Sequence, residues 1–142
     1  MNKTILNKTQ LFLYELGYNK IKSFKQIKGG INSQVYKLKV DKISLVLKLY
    51  SDKNKLRIKR EKKFYNYLNK IHNNNVLKPI GFNISLNIAL FPFINGNKIK
   101  KINNKHMKKI LLFLDQINKK KSIKLPLAVD GIKDRKNHIK LC

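Results

Sequence analysis

The segment from Ile43 to Tyr50 constrains the fold most, because it has the pattern of a β-strand that is apolar on both faces. Its odd-numbered residues are all apolar, and its even-numbered residues place Lys48 between Val46 and Tyr50. The ammonium group of Lys48 therefore shares a face with apolar neighbours. A buried charge without a counter-ion is strongly disfavoured, so this position predicts a carboxylate partner.

Glu61 is the natural partner for Lys48. It is one of only two glutamates in the chain, and it lies on the apolar stripe of a segment with helical periodicity. The stripe neighbours of Glu61 at helical spacing are Ile58, Phe64, Tyr65 and Leu68. A strand that carries Lys48, followed by a helix that carries Glu61 on its inner face, predicts an ion pair between the two. The alternative is an ordinary solvated pair.

The surrounding segments predict an α+β fold, with a five-stranded antiparallel sheet backed by one helix. A turn at Asp41-Lys42 joins two of the strands. The expected elements are a strand from Phe24 that ends at Gly29-Gly30, strands over Val35–Val40 and Ile43–Tyr50, a helix over Asp52–Ile71, and strands over Leu77–Asn83 and Ile88–Phe93.

Two further helices flank this unit. The first is expected from Asn7 to Gly17 as a short lead-in element, with Leu11, Phe12 and Leu16 as its apolar stripe. The second starts at a cap formed by Asn103 or Asn104. Its expected buried stripe consists of Met107, Ile110, Leu111, Leu114 and Ile117.

The composition excludes some functions and leaves one open. A net charge of +26 is typical of nucleic-acid binders, but the basic residues are scattered along the chain and only Arg57, Arg60 and Arg135 are arginine. Nucleic-acid binding is therefore kept only as a minor alternative. No apolar run approaches the roughly 20 residues of a membrane span, and no export signal is recognisable. We therefore expect a cytoplasmic protein without membrane partners. The single cysteine, Cys142, cannot form an intrachain disulfide.

The Gly29-Gly30-Ile31-Asn32-Ser33 turn has two interpretations. Glycine lets backbone N–H groups approach a phosphate closely, so the turn can cover a nucleotide. It can equally be a simple hairpin loop, since it matches neither a Walker A loop nor the full G-x-G-x-x-G pattern.

Taken in order, five blocks of the sequence resemble the opening of the aminoglycoside phosphotransferase and choline kinase family, whose fold is protein-kinase-like. The resemblance covers roughly residues 20 to 120. The blocks are Gly29 to Leu38, Leu45 to Lys48, Arg60 to Phe64, Pro79 to Gly81, and Phe91 to Gly96.

The resemblance implies an ATP-dependent phosphotransferase that uses Mg²⁺ and phosphorylates a hydroxyl group of a small molecule. By that resemblance Lys48 binds the nucleotide phosphates and Glu61 positions it. The other implied nucleotide contacts are Gly30, Asn32 and Ser33 over the phosphates, Val46 on the adenine, and the hinge residues Phe93 and Ile94. The expected domains are a nucleotide-binding lobe over residues 1–94 and, over 95–142, a hinge and the start of a helical lobe.

The sequence departs from the family in its catalytic residues. The family's H-x-D-x-x-x-x-N loop is missing, since none of His72, His106 and His138 has an aspartate two residues later. We therefore expect no catalytic base and no metal ligands here, the Mg²⁺ ligands belonging to a missing lobe. The interpretation is a phosphotransferase truncated before its catalytic loop, or alternatively a non-catalytic nucleotide-binding remnant. An apolar face meant for the missing lobe predicts self-association.

Overall fold

A computed structural model of the chain describes residues 3–28, 33–51, 55–71, 73, 75–96 and 99–118. In chain order the elements are α1 (Lys3–Glu15), β1 (Ile21–Lys28), β2 (Ser33–Val40), β3 (Ile43–Tyr50), α2 (Lys55–Lys70), β4 (Gly81–Asn83), β5 (Ile88–Pro92) and α3 (Asn104–Asn118).

The five strands form one antiparallel sheet in the order β1-β2-β3-β5-β4. β3 is the central strand, as its two apolar faces require, and it pairs with β2 on one side and β5 on the other. The α+β prediction with a five-stranded antiparallel sheet is therefore confirmed.

Helix α1 covers one face of the sheet. Phe12 and Leu13 are buried against the side chains that β2, β3 and β5 direct to that face. The sheet residues in this cluster are Tyr36, Leu38, Val40, Leu45, Leu47, Ile88 and Leu90. The sequence-based prediction described α1 only as a short lead-in element and missed this role. The pattern of β3 shows that this face is buried, but it does not show which segment covers it.

Two glycines allow α1 to fit. Gly17 has a φ of 79°, and there the N–H groups of Gly17 and Tyr18 donate to the carbonyls of Tyr14 and Leu13 in a Schellman motif. Gly81 lets β4 approach the helix, since a Cβ atom at Gly81 would lie 3.2 Å from atoms of Phe12 and Leu16.

Helix α2 covers the opposite face. Ile58 is fully buried with Tyr50, Ala89 and Phe91, and Tyr65 packs against the same cluster. This is the face onto which β3 directs its even-numbered residues, so Lys48 lies between the sheet and α2.

Helix α3 contradicts one expectation. Asn103 caps it as predicted, its side-chain oxygen accepting from the His106 N–H at 3.0 Å, but no residue of α3 is buried. The predicted buried stripe is largely exposed, with Leu111 at 58%. Among the described residues only the end of α3 is anchored, where the Tyr67 hydroxyl donates to the Ile117 carbonyl and Asn73 donates to Gln116.

Other differences concern boundaries. α1 begins at Lys3, so Asn7 is not its cap, and Leu11 is 61% exposed rather than buried. β1 begins at Ile21 instead of Phe24, and β4 is limited to Gly81–Asn83. The predicted helix start at Asp52, together with Gly30, Asn32, His72, His138 and Cys142, lies outside the described residues. None of the described helices is long and apolar enough to cross a membrane.

Candidate functional site

The Lys48–Glu61 ion pair forms the centre of the candidate site. The Nζ atom of Lys48 donates to Glu61 Oε1 at 2.9 Å and to Oε2 at 2.7 Å. Strand β3 supplies the lysine from the middle of the sheet, and α2 supplies the glutamate one turn after the buried Ile58. The side chains remain 25% and 21% exposed. The predicted pair is therefore confirmed as a structural feature, and the partial exposure of Lys48 leaves its ammonium within reach of a ligand.

Tyr50 completes the immediate surroundings of the pair, and sequence reasoning missed it. It lies two residues after Lys48 on the same face of β3, and its ring centroid is 4.9 Å from Lys48 Nζ. The residue is only 2% exposed. Its hydroxyl is buried, and among the described residues it has no hydrogen-bond partner. The one signal in the sequence was its position two residues after Lys48, which places both side chains on the same face of a strand.

Burial and the Glu61 carboxylate both raise the pKa of the Tyr50 hydroxyl above its usual value, burial having the larger effect, while Arg57 opposes them. The same two causes, in the same order, raise the pKa of the Tyr65 hydroxyl. Both phenols are therefore neutral at physiological pH, and each can act as a hydrogen-bond donor near Glu61.

The apolar part of the site lies beside the pair. Val46 is opposite Phe91 in the sheet, and Lys48 is opposite Ala89. Phe91 packs with Tyr65 and Phe82 in an aromatic cluster whose ring centroids are 5.7 to 6.1 Å apart. Val46 is half-buried against this cluster, so it borders an apolar surface next to a cation. Whether Val46 contacts an adenine stays a prediction.

The predicted hinge residues differ from each other. The N–H of Phe93 donates to the Ser44 carbonyl at 3.1 Å, and the Phe93 ring lies 3.8 Å from Lys37 Nζ. Ile94 is 62% exposed, and its N–H donates to no acceptor within the part of the chain that the structure describes. Of the two, Ile94 therefore has the amide available to a ligand.

Ser33 is the one described residue of the predicted phosphate cover. It begins β2 and lies opposite Tyr50 in the sheet, and therefore on the face of the sheet that carries Lys48. Gly30 and Asn32 lie outside the described residues, so their role stays a prediction.

Among the described residues, two open grooves lie along α3, away from the ion pair. One, of about 650 Å³, is lined by residues 101–105. The other, of about 440 Å³, is lined by Asn75 and one side of α3. Neither includes Lys48 or Glu61, and neither combines an acid with a base, so chemistry favours the ion pair as the site. Across the described ranges, no group of three or more His, Cys, Asp or Glu residues could hold a metal ion.

The five-stranded antiparallel sheet with its packed helices matches the kinase-like fold of a solved aminoglycoside phosphotransferase. The chain is similar to spectinomycin phosphotransferase APH(9)-Ia, solved in complex with ADP and spectinomycin, with 21% identity and a TM-score of 0.53 over 78% of this chain. It also aligns with aminoglycoside phosphotransferase APH(2'')-Ib, solved with ADP, at 18% identity and a TM-score of 0.48 over 77% of this chain. At 21% identity the likeness to APH(9)-Ia shows the fold alone.

The alignments cover 36% and 33% of those two proteins, so the chain spans about a third of their length. No protein-family model and no curated protein sequence matches the chain.

Proposed function

We propose that this chain forms the nucleotide-binding part of an ATP-dependent phosphotransferase that acts on a hydroxyl group of a small molecule. The bidentate Lys48–Glu61 pair between β3 and α2 carries the proposal. In a kinase-like fold a lysine of this kind binds nucleotide phosphates and a helix carboxylate fixes its position. The ADP bound to APH(9)-Ia belongs to that protein, and it supports ATP as the first ligand to test here.

The residues at the site fit a nucleotide. Lys48 keeps one N–H for a phosphate oxygen, because an ammonium has three donors and Glu61 takes two. Charge-assisted bonds of this type are the strong ones. Val46 and Phe91 offer an apolar surface for a base, and the exposed Ile94 amide offers it a donor.

The described residues do not fit a protein-held Mg²⁺. They supply no cluster of metal ligands, so we derive no step through the metal and propose that it arrives with the nucleotide phosphates. They also supply no H-x-D catalytic base. The chain's own contribution is to bind and orient the nucleotide. Phosphoryl transfer requires in addition a base and metal ligands that these residues do not provide.

The first test is thermal unfolding with and without MgATP. A specific ligand at 100 times its dissociation constant stabilises a protein by about 2.7 kcal/mol, which raises Tm by roughly 8 °C for a chain of this size. We expect the shift in the wild type and its loss in Lys48→Ala. Equal shifts in both proteins would contradict the assignment of Lys48, and no shift in either would contradict nucleotide binding.

A matched control separates a specific site from general attraction to a chain of net charge +26. Lys63 lies on the exposed side of α2, so Lys63→Ala removes the same charge outside the site. We expect Lys63→Ala to bind MgATP like the wild type at about 50 mM salt, where surface charges still interact, and at about 300 mM salt, where they are largely screened. Binding that survives Lys48→Ala and collapses with salt would instead indicate polyanion binding by the lysine-rich surface.

The remnant alternative concerns activity rather than binding. Both a live half-enzyme and a remnant bind ATP, but only the former supports transfer when the remaining lobe of a kinase-like fold is supplied in trans. The readout is ATP- and acceptor-dependent ADP formation. It must require Lys48, because the supplied lobe carries no phosphate-binding lysine of its own.

A further inference from the structure

We propose that Tyr50 is a positioning residue whose hydroxyl donates to Glu61 when Lys48 turns toward a nucleotide phosphate. This inference rests on the proposed function and assigns a role within the same site.

The placement of Tyr50 is fixed from several sides. Its N–H donates to the Asn87 carbonyl at 2.9 Å, Ser33 lies opposite it on β2, and its ring packs with Ile58 and Ala89. The ring therefore has little freedom to move, and the hydroxyl is held near the ion pair.

The hydroxyl is the unusual feature. Buried polar groups in proteins are nearly always hydrogen-bonded, and an unpaired one is destabilising. The Tyr50 hydroxyl is buried and makes no hydrogen bond of good geometry among the described residues, although it lies near enough to Glu61 for that carboxylate to raise its pKa. Glu61, the carboxylate that raises the pKa of Tyr50, accepts one hydrogen bond from Lys48 at each oxygen.

The number of N–H donors on Lys48 determines when the Tyr50 hydroxyl gains an acceptor. Lys48 has three N–H groups, and two of them bind Glu61. If Lys48 binds two phosphate oxygens, it must release one oxygen of Glu61. That oxygen belongs to a largely buried carboxylate, 21% exposed, and it then needs a donor. The Tyr50 hydroxyl is buried beside this carboxylate without an acceptor of its own, so a hydrogen bond between the two would satisfy both groups at once.

The test compares Tyr50→Phe with a matched tyrosine on the other face of the sheet. Tyr36 is also buried, at 4% exposure, but its hydroxyl already donates to Gln34 Oε1 at 2.7 Å. Tyr36→Phe removes a satisfied hydroxyl away from the site, whereas Tyr50→Phe removes an unsatisfied one within it.

The expected results have opposite signs. Without ligand, Tyr50→Phe leaves Tm unchanged or raises it, and Tyr36→Phe lowers it. With MgATP, titration calorimetry gives a dissociation constant about tenfold weaker for Tyr50→Phe, the equivalent of one hydrogen bond, and an unchanged constant for Tyr36→Phe. A merely structural role for Tyr50 would instead lower Tm.

Each other outcome overturns the inference. If Tyr50→Phe lowers Tm without ligand, the hydroxyl already has a structural partner. If the wild type and Tyr50→Phe bind MgATP equally, the hydroxyl does not act on the pair, while the proposed function stands. If the wild type itself does not bind, the proposed function and this inference fail together.

Discussion

The strength of the Lys48–Glu61 pair can be measured by a double-mutant cycle with Lys48→Met and Glu61→Gln, which keep the side-chain lengths close to the originals. Two opposite charges 2.7 Å apart attract by about 1.5 kcal/mol in water and by about 6 kcal/mol at an effective dielectric of 20. Removal of both groups from water offsets much of that gain.

The net contribution of the Lys48–Glu61 pair to the free energy of unfolding depends on how exposed its side chains are. Exposed pairs contribute about 0 to 1 kcal/mol, and breaking a fully buried pair costs about 3 to 5 kcal/mol. With side chains 25% and 21% exposed, we expect each single variant to lower the free energy of unfolding by about 2 kcal/mol. The double variant should lower it by about 2.5 kcal/mol, which gives a coupling energy of about 1.5 kcal/mol.

Urea unfolding of the four proteins, at low and at physiological salt, measures this coupling. The Lys22–Asp41 pair is a control within the same chain, because its atoms are 3.7 Å apart and its side chains are 59% and 44% exposed. A cycle there should give less than about 0.5 kcal/mol. A coupling energy for Lys48 and Glu61 below about 0.3 kcal/mol, the usual limit of additivity, would refute the claim that the pair joins α2 to the sheet.

The remaining predictions concern the core, a helix end, alkaline pH and α3. Leu47→Ala should lower the free energy of unfolding by about 3 kcal/mol in urea, because Leu47 is fully buried at the sheet centre; a loss under 1 kcal/mol would contradict its position. Gly17→Ala should cost about 1 kcal/mol, since φ is 79° there, and an unchanged stability would argue against this helix end. Above about pH 10 the unfolded chain loses the Tyr50 proton that the native chain keeps. The native state then binds more protons, so stability falls by up to about 1.4 kcal/mol per pH unit; Tyr50→Phe should reduce this slope, and equal slopes would refute the raised pKa. Leu111→Lys should shift the chain toward monomer in analytical ultracentrifugation, because Leu111 is 58% exposed within the apolar face of α3. A wild type that is already monomeric would contradict that expectation.

The sheet and the ion pair could be predicted from the sequence for one physical reason. β3 extends from Ile43 to Tyr50 as predicted, because the Asp41-Lys42 turn marks its start and its eight mostly apolar residues have the length of a buried strand. The single charge in that strand then required a partner, and a glutamate on an apolar helix stripe is rare enough in this chain to identify it.

The flanking helices could not be predicted as well, because periodicity shows which side chains share a face but not what covers it. The stripe of Met107, Ile110, Leu111 and Leu114 has the pattern of a buried face, yet all four side chains are between 43% and 58% exposed. In α1 the same ambiguity led to Leu11 being expected on the inner stripe, whereas Leu13, two residues further along and on the opposite side of the helix, is fully buried. Burial depends on the neighbouring element, and spacing along one helix carries no information about it.

Stability and ligand binding are expected to respond together at Glu61 and separately at Tyr50, and this difference can distinguish a working nucleotide site from a preserved fold. Glu61 holds α2 to β3 through Lys48, so its loss weakens the fold whether or not a nucleotide binds. At neutral pH the Tyr50 hydroxyl makes no hydrogen bond of good geometry in the ligand-free chain, so there its loss is expected to matter only if Lys48 releases Glu61 for a phosphate. A chain that had lost nucleotide binding would show the first effect without the second. Tyr50→Phe is therefore the more informative of the two substitutions.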